Sequence, residues 1–174
     1  MQMSFSIGDK AVYPGHGVGE VTAIEAQNIC GTEQTFYILR ILQNGMQILV
    51  PTNNVRSVGM RGVISKKKVA KVFTILRSKT RSVGGATWNR RYREYQEKLK
   101  TGSIFEVAEV LRDLWRLKAD KELSFGERKL LDTARDLVVN ELVVASGRSE
   151  DEITTEVEKI FIVRGRRSLE EDVA

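Results

Sequence analysis

The run Thr87-Trp88-Asn89-Arg90-Arg91-Tyr92-Arg93 puts one indole and three guanidiniums within two helical turns. Guanidiniums hold phosphate oxygens as forked, permanently charged donors. An uncovered indole stacks on a base or wedges between base steps. That pairing suits a nucleic acid better than a small substrate. Residues 61–100 hold 13 Lys/Arg against two acids, Glu94 and Glu97, in a chain whose net charge is +5. A field so concentrated is directed at a polyanion.

Trp88, Tyr92, Tyr95 and Leu99 recur at i, i+4, i+7 and i+11, one face of a helix. Two arrangements fit. In one, Trp88 heads the apolar stripe and packs inside a bundle, with the arginines merely solvated. In the other, Trp88 lies uncovered in the first turn, ringed by Arg90, Arg91, Arg93 and helix N-terminal amides that favour phosphate. The sequence leaves both open. Trp115, between Leu111 and Leu114, is expected in the core.

Other groups carry less chemistry. Gly15-x-Gly17-x-Gly19 lacks the Lys-Ser/Thr of a phosphate loop and runs into a strand pattern, so it reads as a tight turn, with His16 exposed in it. One His and one Cys are too few for a His/Cys zinc site, and no cofactor is expected. Cys30 has no disulfide partner, reads as a small apolar filler and fits a reducing cytoplasm. The carboxylate pairs Glu106/Glu109 and Asp132/Asp136 read as surface ion pairs beside Arg112 and Arg135. No nucleophile, base and oxyanion site assemble, so neither an enzyme nor a small-molecule substrate is expected. The apolar runs are too short to cross a bilayer, and the start of the chain reads as folded sequence, not a leader.

The elements that must position these residues fall into two parts. In residues 1–62, Lys10–Pro14, Gly17–Ile24, Thr35–Leu42, Met46–Pro51 and Val55–Val58 read as five short strands, with Asn44-Gly45 as a two-residue type I′ turn. Five short strands predict a small Tudor/SH3-like β-barrel. Ile48-Leu49-Val50 is apolar on both faces and ends at Pro51, which predicts an edge strand available for docking. In residues 63–163 the period becomes helical and predicts an all-α bundle of about five helices. Ser103-x-x-Glu106, Ser124-x-x-Glu127 and Ser149-x-x-Glu152 read as capping boxes. Residues 78–86, with Gly84-Gly85, read as a flexible loop, and residues 164–174 as a disordered tail. The fold class is α+β with two domains.

Gly8-Asp9-x-x-Val12-Tyr13-Pro14-x-x-Gly17, the Thr87–Tyr92 helix start, Val107–Trp115 and Leu123-Ser124-x-Gly126-Glu127-Arg128 together resemble the CarD/CdnL family of bacterial transcription regulators, in its stand-alone CdnL form. The resemblance implies a Tudor-like domain that binds the β subunit of RNA polymerase. It also implies a helical domain that contacts promoter DNA, without sequence specificity, at the upstream edge of the melted region and stabilises the open complex. Trp88 then acts as the wedge, with Arg90, Arg91, Arg93, Arg128 and Lys129 as DNA contacts. The polymerase-facing set maps onto Gln27, Ile48, Leu49 and Pro51. Some relatives have Arg at the positions of Gln27 and Leu49, so an apolar contact would replace a polar one here. The expected protein is a cytoplasmic, nucleoid-associated monomer. The rival readings are a general nucleic-acid-binding protein and a protein–protein adaptor, neither with a polymerase partner.

Overall fold

The computed structural model describes residues 4–79 and 87–171, with residues 163–171 described by their backbone alone. Most of the 78–86 loop expected from the sequence lies outside the described residues. The chain divides into two compact units, Met1–Val63 and Ile64–Ala174.

The first unit holds β1 (Lys10–Tyr13), β2 (Gly17–Ile29), β3 (Thr32–Ile41), β4 (Gln47–Pro51), the helical turn α1 (Val55–Val58) and β5 (Arg61–Gly62). All strands pair antiparallel in one sheet of order β4-β3-β2-β1-β5. β4 and β5 are its two edges, so the pairing stops short of a closed barrel; β5, with only two residues, offers too little ladder to close it. The fifth strand is therefore not Val55–Val58, which turns helical to bury Val55 and ends at Gly59 with φ 75°. Ala11, Val21, Tyr37, Leu39, Ile41, Val50, Val55 and Met60 form this unit's core.

Two turns differ from expectation. The β3–β4 hairpin exists, but residues 42–46 connect it, and among them only Gly45 has positive φ. The Asn44 side chain instead accepts from the Met46 N–H at 2.9 Å. The two-residue turn with both φ positive is Cys30-Gly31, at 51° and 81°, joining Ile29 to Thr32. Cys30 is therefore an exposed turn residue, not an apolar filler.

The second unit is α2 (Lys66–Arg77), α3 (Trp88–Lys100), α4 (Ile104–Asp120), α5 (Phe125–Ser146) and α6 (Glu150–Glu171), the five helices expected. α4 packs against the other four and buries Ile104, Val107, Ala108, Val110, Leu111 and Leu114. Trp115 is half-buried and stacks on Phe161. The α6 backbone stays helical past residue 164, where the apolar period of the sequence ends.

The Ser124–Glu127 box closes in both directions, as does the Ser149–Glu152 box. The box expected at Ser103 does not close; the Ser103 side chain makes no cap hydrogen bond. Arg112 is not a surface residue either. It is buried with Asp113, its Nε donating to that carboxylate at 3.1 Å and its Nη1 to the Ile75 carbonyl at 3.4 Å. Glu109 pairs instead with Lys98 at 2.7 Å.

Candidate nucleic-acid interface

The aromatic stripe of α3 leaves the core from its C-terminal end outwards. Leu99 and Tyr95 are buried, Tyr92 is half-buried, and Trp88, the first helical residue, is 44% exposed. The periodicity was thus sound, and its outermost member lies at the surface. Trp88 stacks on Tyr92, with ring centroids 5.4 Å apart and planes inclined by 18°.

The head of α5 meets the head of α3. A Cβ on Gly126 would lie 3.2 Å from Tyr92 Cε2, so only glycine leaves that ring undisturbed there. Next to it, the buried Glu127 carboxylate accepts from the Ser124 backbone N–H at 3.2 Å and lies 3.7 Å from Lys121 Nζ, and the Trp88 side chain helps to hold it ionised. Burial pushes this carboxyl's pKa up, but the Ser124 backbone and hydroxyl, Lys121 and Trp88 outweigh it, and the net direction is down. Phe125, ahead of these residues, is 79% exposed.

Cations surround this pair of helix heads. Arg90 and Arg93 are exposed and Arg91 is half-buried on α3, while Arg128 and Lys129 are exposed on α5. Arg90 Nε lies 3.1 Å from Glu94 Oε1, which fixes its direction along the helix. The first turn of α3 contains no acid. Neither does that of α2, which carries Lys66, Lys67 and Lys68. A helix N-terminus is the positive end of the macrodipole, so cations there cost stability. α6 shows the stabilising arrangement, with Glu150, Asp151 and Glu152 in its first turn. Basic helix heads at the expense of stability fit a surface selected for an anionic partner.

The other sequence-derived set lies on the first unit. Register places Leu49 opposite Ile38 and Ala23, Pro51 opposite Phe36 and Glu25, and Gln34 opposite Gln27. Gln27, Leu49 and Pro51 therefore share one face of β2–β4, with Leu49 46% exposed. The irregularity between Val21 and Ala23 makes this possible: it sends Val21 to the core and Ala23 to the opposite face. Ile48 does not join them; strand alternation turns it inward against the core.

Residues 5–64 match the CarD-like/TRCF RID domain, and residues 71–158 match the CarD C-terminal domain. The chain belongs to the CarD-like family. It is 36% identical over 149 residues to the "Putative transcription factor YdeB" of Bacillus subtilis (strain 168), covering 86% of this chain and 97% of that protein. Among solved structures, CdnLNt from Myxococcus xanthus is 62% identical and covers 37% of this chain and 92% of its own, with a TM-score of 0.32. The solution structure of the 72-residue N-terminal domain of Myxococcus xanthus CarD is 32% identical, covering 36% and 83%, with a TM-score of 0.31. A role in transcription regulation goes with the CarD-like family.

Within this CarD-like chain, Phe125, Gly126 and Glu127 were not singled out as site residues by sequence reasoning. The Ser124-x-x-Glu127 spacing identified a helix start, and the structure adds that the same carboxylate reaches an indole on another helix. No helix among the described residues is long and apolar enough to cross a membrane, and no cluster there could hold a metal ion.

Proposed function

We propose that this CarD-like chain binds the β subunit of RNA polymerase through the outer face of β2–β4 and binds promoter DNA through Trp88 and the basic heads of α3 and α5. The DNA contact lies at the upstream edge of the melted region and stabilises the open initiation complex, and the protein itself catalyses nothing. The observation that carries this reading is the exposed Trp88 indole among exposed cations at a helix start. The match to an RID domain over residues 5–64 supports the polymerase half.

A handful of phosphate contacts gives only weak, salt-sensitive affinity. Covalent linkage to a polymerase-bound unit raises the effective concentration at the promoter without adding contacts. The open complex gains over the closed one only through contacts made better in the open state. A base stacked or wedged against Trp88 supplies that difference; about 1–3 kcal/mol shifts the equilibrium roughly five- to 150-fold.

The test is open-complex lifetime. Trp88→Ala shortens it while polymerase binding persists; an unchanged lifetime removes the wedge role. Leu49→Asp does the reverse, ending capture of the β subunit while leaving affinity for forked DNA as it was.

A further inference from the structure

Trp88 is the first residue of α3 and is 44% exposed, yet its ring is tied through Tyr92 to another helix. Tyr92 stacks beneath it, and Tyr92 in turn rests where Gly126 has no side chain. The Trp88 side chain also helps to hold the Glu127 carboxyl ionised, and Glu127 is itself fixed by the closed Ser124 box.

We propose that the head of α5 is the seat that sets the pose of Trp88, with Glu127 as its positioning residue. The inference rests on the reading of Trp88 as a DNA-facing ring and deepens it by naming what holds that ring ready. The two capping boxes of the second unit provide the contrast. Glu152 closes the α6 box while exposed to solvent, so cap closure does not require a buried carboxylate. Glu127 closes the α5 box while buried, with Lys121 alongside and the Trp88 side chain also favouring its ionised form. Glu127 therefore does two jobs, capping the start of one helix and orienting a side chain on another.

An indole already fixed in its binding pose loses less side-chain freedom on meeting DNA. Immobilising one side chain corresponds to about two- to twelvefold in affinity. The DNA-facing surface is thus built from two segments far apart in sequence, each incomplete without the other.

The experiment uses the full chain carrying Trp115→Phe, so that Trp88 is the only indole. Time-resolved fluorescence anisotropy of Trp88 and affinity for a forked DNA duplex are measured for the parent, Glu127→Ala, Glu127→Gln, Gly126→Ala and Glu152→Ala. Glu127→Ala releases the indole, seen as a larger fast depolarisation component, and weakens fork binding about two- to twelvefold. Glu127→Gln keeps an acceptor and stays near the parent. Glu152→Ala loses the equivalent cap on α6 and changes neither readout. Gly126→Ala tests the seat with no loss of helix propensity and shifts the Trp88 signal through Tyr92. Trp88 anisotropy unchanged in both Glu127→Ala and Gly126→Ala overturns the proposal, as does a Glu152→Ala protein whose indole is freed to the same extent. Should Glu127→Ala free the ring while neither it nor Trp88→Ala affects DNA, the seat stands and the DNA reading of Trp88 falls.

Discussion

Trp88 and Tyr92 lie face to face on successive turns of α3, 5.4 Å apart, and the outer ring of the pair is the more exposed to solvent. The chain's other tryptophan makes the opposite use of the same geometry. Trp115 stacks on Phe161 at 4.7 Å with planes 13° apart, and that pair packs against the helical core. One stack closes an interior and the other holds a ring at a basic surface.

The two indoles are therefore expected to respond differently to a charged quencher. With Trp115→Phe, iodide quenches the remaining Trp88 several-fold more strongly than it quenches Trp115 in a Trp88→Phe protein, because nearby guanidiniums attract the anion. Forked DNA protects Trp88 and leaves Trp115 unchanged. Equal Stern–Volmer slopes for the two proteins contradict the exposure difference.

Arg112 and Asp113 form an ion pair inside the second unit, where each charge depends on its partner. Asp113→Ala leaves a guanidinium buried without that carboxylate and is expected to cost about 3–5 kcal/mol. Replacing both residues with apolar side chains of similar volume removes the desolvation cost as well and destabilises far less. Urea unfolding of the single and double variants separates the two outcomes.

Much of this was legible in the sequence where periodicity governed it. The stripe Trp88, Tyr92, Tyr95, Leu99 gave α3, and Pro51 marked the edge strand β4. The misses have physical causes. Arg112 was assigned to the surface because its type is usually exposed, whereas its burial depends on Asp113 and the Ile75 carbonyl, the latter on another helix. Ile48 was grouped with Leu49 because an all-apolar run hides its own alternation. Cys30 was missed as a turn residue because cysteine carries no preference for positive φ, and Asn44-Gly45 displayed the signal that the β2–β3 turn lacked. The Trp88–Glu127 contact spans two helices, beyond the reach of any spacing rule.

Glu127 also predicts a pH dependence. Its pKa in the folded chain lies below that of an ordinary glutamate, so the unfolded chain binds the proton more readily. The stability it contributes is fully present above about pH 4.5 and is lost as pH falls through the folded value. Thermal unfolding of wild type and Glu127→Gln is thus expected to differ most near neutrality and to converge as pH drops below that range. A difference that grows on acidification contradicts the assignment.

The β2–β3 turn offers a change expected to stabilise. Cys30 sits at φ 51° with an exposed side chain, a backbone region where a β-carbon meets the following carbonyl. Asparagine tolerates that region and leads the preferred Asn-Gly sequence of two-residue hairpin turns. Cys30→Asn is expected to raise stability by about 0.5–1 kcal/mol, read as a higher unfolding temperature. Gly31→Ala, at φ 81° with open space around its Cβ, is expected to lower it through backbone strain alone. Gly19→Ala lowers it for a different reason: its backbone is unstrained, but the new Cβ would lie 2.7 Å from Leu39 Cγ inside the sheet's packed face. Leu39→Ala removes that γ-carbon, so Gly19→Ala costs less in a Leu39→Ala background than in the parent, whereas no side-chain change near the turn rescues Gly31→Ala.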